Sequence, residues 1–357
     1  MDITICGLGL LGASLAMAIR QNVPGAIITG YDHPEVMQVA LKKHIIDRQI
    51  NAWPDDCRNA EIIFLATPQK VILQHLKDLA NVVSEKTIVS DLGSTKEVVY
   101  QLLDEIHFPG RFIGGHPMTG AEKSGINAAN PLLYENAVYV LTIRGSMDGL
   151  VEQKLLPLLK AIKAHILILD PGIHDQIVAV ISHLPQIVAI ALVRLAGQKN
   201  SADHPYFDLA AGGFRDLTRI ASSSSAIWED IFFYNKKNIE KSLEDFIAIL
   251  NRYKNNSDQL SEELQITAQI RGQIPAKGKG FLYPLTDVMV YVPDQVGVIA
   301  RISNALADAR IDIRDIELLK IREKEGGVFR LSFGSLDEAG QAIQVIESIN
   351  YQAFIKE

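Results

Sequence analysis

Ile3-Thr4-Ile5-Cys6-Gly7-Leu8-Gly9-Leu10-Leu11-Gly12 stands almost at the start of the chain and decides its first fold. Ile3 to Cys6 reads as a short buried strand, and the pattern that follows reads as a helix. Gly7 permits the tight turn between them, Gly9 lets the backbone approach a pyrophosphate, and Gly12 lets the helix pack close to the strand. Leu10 and Leu11 open that helix, whose free N–H groups then face the phosphates. A second strand, Ala26 to Tyr31, ends at Asp32, twenty residues after Gly12. A carboxylate there accepts from ribose hydroxyls and repels a 2′-phosphate, so NAD is expected over NADP. Thr67 and Pro68, just past a third strand pattern at Glu61 to Ala66, are further cofactor candidates.

Outward from this motif the alternation continues. Thr87 to Ser90, Phe112 to Gly114, Ala137 to Thr142 and Ile166 to Leu169 are short, apolar and β-branched, with helical stretches between several of them. The expected fold class is α/β, a Rossmann-type doubly wound sheet over 1–170. From 171 to 271 only helical periodicity is visible, near Asp175 to Gly197, Pro205 to Leu209, Asp216 to Ala221 and Ala226 to Lys254. That predicts an all-helical second domain. Gly272 to Gly280 is rich in Gly, Lys and Pro, and 272–285 reads as a linker. The remainder, 286–357, reads as βαββαβ, a ferredoxin-like unit with a turn at Gly326-Gly327.

The whole chain has 357 residues, 48% of them hydrophobic and 22% charged, with a net charge of -7. That size allows two or three cores, and the acidic balance disfavours nucleic acid. The two cysteines, Cys6 and Cys57, give neither a disulfide framework nor a metal spacing, which fits a reducing cytoplasm. A strand pattern follows Met1 directly, so no cleaved leader is expected. Val178 to Ala196 is the most apolar stretch, but His183, Pro185 and Gln186 interrupt it. It reads as a buried helix rather than a membrane span.

Ligands of doubly wound sheets bind at the carboxyl ends of the strands. Two loops there carry unusual residues, Ser90-Asp91-Leu92-Gly93-Ser94-Thr95-Lys96 and Gly114-Gly115-His116-Pro117-Met118-Thr119-Gly120. Ser94 and Glu97 have the spacing of a capping box at a helix start. Arg215 and Arg219 are four apart on a helical segment and share a face, with Asp216 placed to hold Arg219. His174 and His183 are nine apart, on opposite helix faces, which argues against a shared metal.

The Gly-Gly-His-Pro-Met-x-Gly run resembles the prephenate dehydrogenase family. So do Ser182-His183-Leu184-Pro185 and Gly212-Gly213-Phe214-Arg215-Asp216-x-Thr218-Arg219. The resemblance implies an NAD-dependent oxidative decarboxylation of a cyclohexadienol diacid. It implies that His116 accepts the hydroxyl proton while Ser94 orients it, a task suited to a neutral imidazole. Arg219, with Arg215, is then the anion binder, since a guanidinium holds a carboxylate bidentately. Glu122 resembles an acid that pairs with this basic cluster, and His183, Gly120 and Trp228 resemble residues near the pocket. The motif often has a histidine where this chain has Gln186, which cannot titrate.

Val292 to Ala300 resembles the ACT-domain signature, which implies that Asp294, Gly297 and Val298 take an amino acid, tyrosine being expected, or else that the unit only dimerises. A homodimer without membrane or nucleic-acid partners is the expected assembly. Three rival readings stay open. Arogenate dehydrogenase would share the pocket, and a non-catalytic NAD-binding regulator would share the fold. A β-hydroxyacid dehydrogenase would need a catalytic lysine motif that is not seen.

Overall fold

The strand Ile62–Leu65 has no polar face. Ile62, Ile63, Phe64 and Leu65 are all fully buried, and they alternate between two cores. Ile62 and Phe64 pack with Ile3, Ile5, Leu15 and Leu155, while Ile63 and Leu65 pack with Cys6, Leu76 and Val99. Apolar side chains on both faces require helices on both faces, hence a doubly wound sheet.

The computed structural model describes residues 1–120, 123–223, 225–255, 260–273, 285–322 and 326–355. Its first sheet comprises β1 (Asp2–Cys6), β2 (Ile27–Tyr31), β3 (Arg48–Gln49), β4 (Ile62–Leu65), β5 (Ile88–Asp91), β6 (Arg111–Pro117), β7 (Val138–Thr142) and β8 (His165–Leu169). The order is β3-β2-β1-β4-β5-β6-β7-β8, so the order of winding switches at β1, the strand that leads into the glycine motif. Every pairing is parallel except β6 with β7. The short β3 carries two exposed polar residues and has no pattern to announce it.

The second sheet holds β9 (Thr286–Val292), β10 (Asp315–Arg322), β11 (Gly326–Phe333) and β12 (Gln352–Ile355), in the antiparallel order β10-β11-β9-β12. With helices Val298–Asp308 and Leu336–Ser348 it makes the expected βαββαβ unit, around Val288, Val290, Leu306, Phe333 and Ile346. Gly326 and Gly327 belong to β11 rather than to a turn, and pair with Arg322 and Ile321. The chain divides into two compact units, Met1–Leu264 and Gln265–Glu357. Residues 274–284 of the expected linker lie outside the described residues.

The helical segment departs from expectation in three places. Pro205 to Leu209 is a turn, because the backbone N–H of Phe207 goes to the Asn200 side chain. Ala226 to Lys254 is two helices, Ser225–Tyr234 and Lys236–Asn255, broken at the buried Asn235. Pro171–Val178 and Leu184–Lys199 are joined by a π-helical turn, Ala179–His183. Pro171–Lys199 is long and apolar enough to cross a membrane by length and composition, and a third (33%) of its most apolar window is buried. Its Val178 to Ala196 stretch is not the buried helix its sequence predicts, since Val180, Ile181, Val193 and Leu195 are exposed.

Candidate active site

The dinucleotide motif adopts the geometry its glycines require. Gly7 has φ +91°, and a Cβ there would lie 2.5 Å from the Ala66 carbonyl oxygen. At Gly12 a Cβ would stand 1.8 Å from the Gly7 carbonyl oxygen, whereas at Gly9 it would meet nothing within 4 Å. Gly9 precedes the helix Leu10–Asn22 with no side-chain cap, so its first N–H groups face outward for an anion. Asp32 sits at the end of β2, where its carboxylate accepts from the N–H of Leu8 at 2.5 Å and of His33 at 2.6 Å. Past β4, the Thr67 hydroxyl and both amide atoms of Gln69 are buried without a partner among the described residues. A Cβ at Gly93 would lie 2.4 Å from Gln69 Oε1, which places this amide between the ends of β4 and β5. An open glycine cradle, a fixed carboxylate and unpaired polar atoms at the carboxyl ends of β1, β2 and β4 fit a dinucleotide.

β6 runs three residues beyond its expected end, so His116 lies within the strand, opposite Val140, and not on the loop after it. Beneath it the Lys96 ammonium, fully buried, donates to Asp91 and, at 2.8 Å, to the Gly115 carbonyl. Asp91 Oδ1 also accepts from the Gly115 N–H at 3.2 Å. Burial lowers the Lys96 pKa, and Asp91 and Asp175 oppose the fall.

His116 is 9% exposed, and its Nδ1 lies 2.8 Å from His174 Nε2. His174 Nδ1 in turn lies 2.7 Å from Asp175 Oδ1. The Asp175 carboxylate reaches across to the helix Glu97–Glu105 and accepts from the N–H groups of Lys96 and Glu97, both at 2.8 Å. Asp175 is therefore the cap of that helix. Ser94 does not form the capping box its spacing predicts, because the carboxylate from the helical segment takes the free N–H groups first. Ser94 makes no hydrogen bond to His116 among the described residues.

His183 is 1% exposed and receives Asn235 Nδ2 at 3.1 Å, while the same amide donates to the Asp175 carbonyl at 2.8 Å. His174 and His183 thus converge on one polar cluster, contrary to opposite faces on a regular helix. The π-helical turn inserts a residue between them and shifts the register. Among the described residues no metal-binding cluster is present. Burial holds His116 well below the usual imidazole range, and His174, Lys96 and His183 add to it. Burial pushes His183 down to about 4 against the pull of Asp175, with His174 adding to the fall. Trp228 stands edge-on to His183, 6.1 Å between ring centres, and Gln186 is buried with its Oε1 unpartnered among the described residues.

Gly212–Thr218 and Arg219–Ser222 pack on the helix that begins just after His183, which leaves Arg215, Asp216 and Arg219 exposed. Gly120 is exposed past β6, and Glu122 lies outside the described residues. Sequence reading missed Asp91, Lys96, His174, Asp175 and Asn235. The available signal was polar residues inside apolar runs, most plainly His174-Asp175 at the start of the most apolar helix.

The glycine cradle and the buried imidazole stand at the carboxyl ends of strands of one sheet. The model of the prephenate dehydrogenase nucleotide-binding domain matches residues 15–168, that of the dimerization domain of the same enzymes matches 170–266, and the ACT-domain model matches 286–350. The chain belongs to the prephenate dehydrogenase family. It is 37% identical to the prephenate dehydrogenase of Bacillus subtilis over 99% of this chain and 97% of that one. A crystal structure of the Aquifex aeolicus prephenate dehydrogenase with hydroxyphenyl propionate and NAD+ is 32% identical, with a TM-score of 0.69, over 77% of this chain and 96% of that one. The Synechocystis arogenate dehydrogenase is also 32% identical, with a TM-score of 0.64, over 76% of this chain and 98% of that one.

In the second unit a cavity of about 480 Å³ opens between β9, the start of Val298–Asp308 and β11, lined by Asp294, Gln295, Gly297, Val298, Leu318 and Phe329. Gly297, at φ +87°, starts that helix in the left-handed region.

Proposed function

We infer that the chain oxidises prephenate with NAD and releases carbon dioxide, forming 4-hydroxyphenylpyruvate on the route to tyrosine, with His116 as the base. The observation that carries this reading is a buried imidazole, hydrogen-bonded to His174, near the carboxyl end of β6 in the same sheet as the cradle for a dinucleotide. Bound NAD supplies the hydride acceptor. Gly7, Gly9 and Gly12 with Leu10 and Leu11 hold its pyrophosphate, Asp32 its ribose hydroxyls, and Thr67 and Pro68 line its path. His116 takes the hydroxyl proton as the ring carbonyl forms, and Ser94 orients that hydroxyl. Arg219 and Arg215, with Asp216, hold the side-chain carboxylate, and the family resemblance adds Glu122 as the acid that pairs with them. Cationic neutralisation is kept off the ring carboxylate, which leaves as neutral carbon dioxide. His183 and Gly120 shape the pocket. The matched segments support a division into 1–170, 171–271 and 286–357.

The second copy of a homodimer covers the exposed apolar face of Pro171–Lys199 and its neighbours, since Ile181 at 62% and Phe233 at 74% exposed have no cover among the described residues. Buried His174, Asp175 and His183, hydrogen-bonded to the first domain and to Asn235, support reading this helix as part of a soluble, cytoplasmic enzyme rather than as a membrane span. In the second unit the cavity at Gly297 takes tyrosine as a feedback ligand. Arogenate is the alternative substrate, supported by the likeness to the Synechocystis enzyme.

Reduced nicotinamide formed from prephenate, and separately from arogenate, tests the reading. His116→Asn is expected to lower kcat about a hundredfold or more while NAD still binds. Arg219→Gln is expected mainly to raise KM. Cofactor binding with turnover of neither diacid by the wild type would leave only the non-catalytic regulator.

A further inference from the structure

Asp175 has three donors around its carboxylate. Two are the backbone N–H groups of Lys96 and Glu97 at a helix start, and the third is His174 Nδ1. An ionised carboxylate only accepts, so His174 carries a hydrogen on Nδ1. The helix N-terminus and its two N–H groups already meet the Asp175 charge. The buried Lys96 ammonium, on Asp91 and the Gly115 carbonyl, already sets one cation beside this cluster. With its one hydrogen on Nδ1, a neutral His174 has a bare Nε2, and His116 Nδ1, 2.8 Å away, is the donor in that arrangement.

We propose that His174 and Asp175 are positioning residues that fix the tautomer of His116, with the hydrogen on Nδ1 and the lone pair on Nε2 facing the substrate hydroxyl. The inference rests on His116 being the base. In the step it serves, the substrate O–H bond breaks and an N–H bond forms at His116 Nε2. The O–H electron pair becomes the second bond of the carbonyl as hydride leaves the same carbon for NAD. The imidazolium so formed keeps its Nδ1–H on His174 Nε2, and that hydrogen bond becomes charge-assisted as positive charge develops. The logic is that of an acid orienting a catalytic histidine, with one more imidazole in the line. It also explains why two charged or titratable residues occupy the buried side of an otherwise apolar helix.

Selective 15N labelling of the histidines, with His116 assigned through His116→Asn, reads the tautomer directly in the full-length protein near neutral pH. The expected spectrum has His116 protonated at Nδ1 and bare at Nε2. A His116 that carries its hydrogen on Nε2 overturns the proposal, and this measurement needs no folded His174 variant. In His174→Gln, whose amide both donates and accepts, both His116 tautomers are expected. Its kcat should fall about 30-fold or more with NAD affinity within about twofold of wild type, and the acid limb of its pH profile should move. A kcat within about threefold of wild type, with an unmoved pH profile, would also overturn it. Full activity in His116→Asn would instead sink the assignment of the base, while the tautomer measurement would still stand or fall alone.

Discussion

His116 is held uncharged by what surrounds it. Desolvation comes first, and the neighbouring His174, Lys96 and His183 work in the same direction. The same burial makes the cluster sensitive to acid. An unfolded imidazole titrates near 6.5, but His183 in the folded chain titrates at about 4. Between those values the unfolded chain binds a proton that the folded chain refuses, so stability falls as pH falls through this window. The slope approaches about 1.4 kcal/mol per pH unit for each such histidine, and the loss levels off below the folded value. Denaturant midpoints measured from pH 7 to 4.5 are expected to fall, and less steeply in His183→Gln. A flat profile in the wild type contradicts the buried neutral cluster. His116 was legible because two glycines and a strand end flag it. His174 and Asp175 were not, because a polar pair in an apolar helix has no meaning until its partners are known, and those partners are 58 and 79 residues away.

Glycines in the first turn separate two physical demands within one element. At Gly12 an added methyl group strikes the backbone of Gly7 in the folded chain itself. At Gly9 the space is open, and only a bound pyrophosphate would meet the methyl. Gly12→Ala is therefore expected to lower stability by about 1–3 kcal/mol and to weaken NAD binding. Gly9→Ala is expected to leave stability within ~0.5 kcal/mol of wild type and raise the Kd for NAD about tenfold or more. Thermal melts without cofactor and NAD titrations of both variants check this, and equal melting losses in the two would contradict the assignment. The strand–helix alternation of this sheet was readable because burial on both faces leaves an unmistakable apolar run. β3 and the π-helical turn were not, since two exposed polar residues and a one-residue register shift leave no pattern behind.

Across the whole molecule, the second unit carries its own core and its own cavity. Tyrosine is expected to bind the full-length enzyme by calorimetry and to slow turnover. Gly297→Val is expected to weaken that binding about tenfold or more, since a β-branched residue strains the φ of +87° at the helix start. Binding with no effect on turnover would remove feedback, and no binding would leave the unit a dimerisation module. The sequence by itself determined the order of folds, the nucleotide cradle, the candidate base and the C-terminal βαββαβ unit, because periodicity, glycine spacing and local motifs are written within a few residues of one another. Only the tertiary structure decided which side chain caps the helix after β5, which imidazole supports His116, and which apolar helix face stays uncovered. Those depend on groups far apart in the chain that compete for the same donors, acceptors and buried space, and that competition is settled only when the chain has folded.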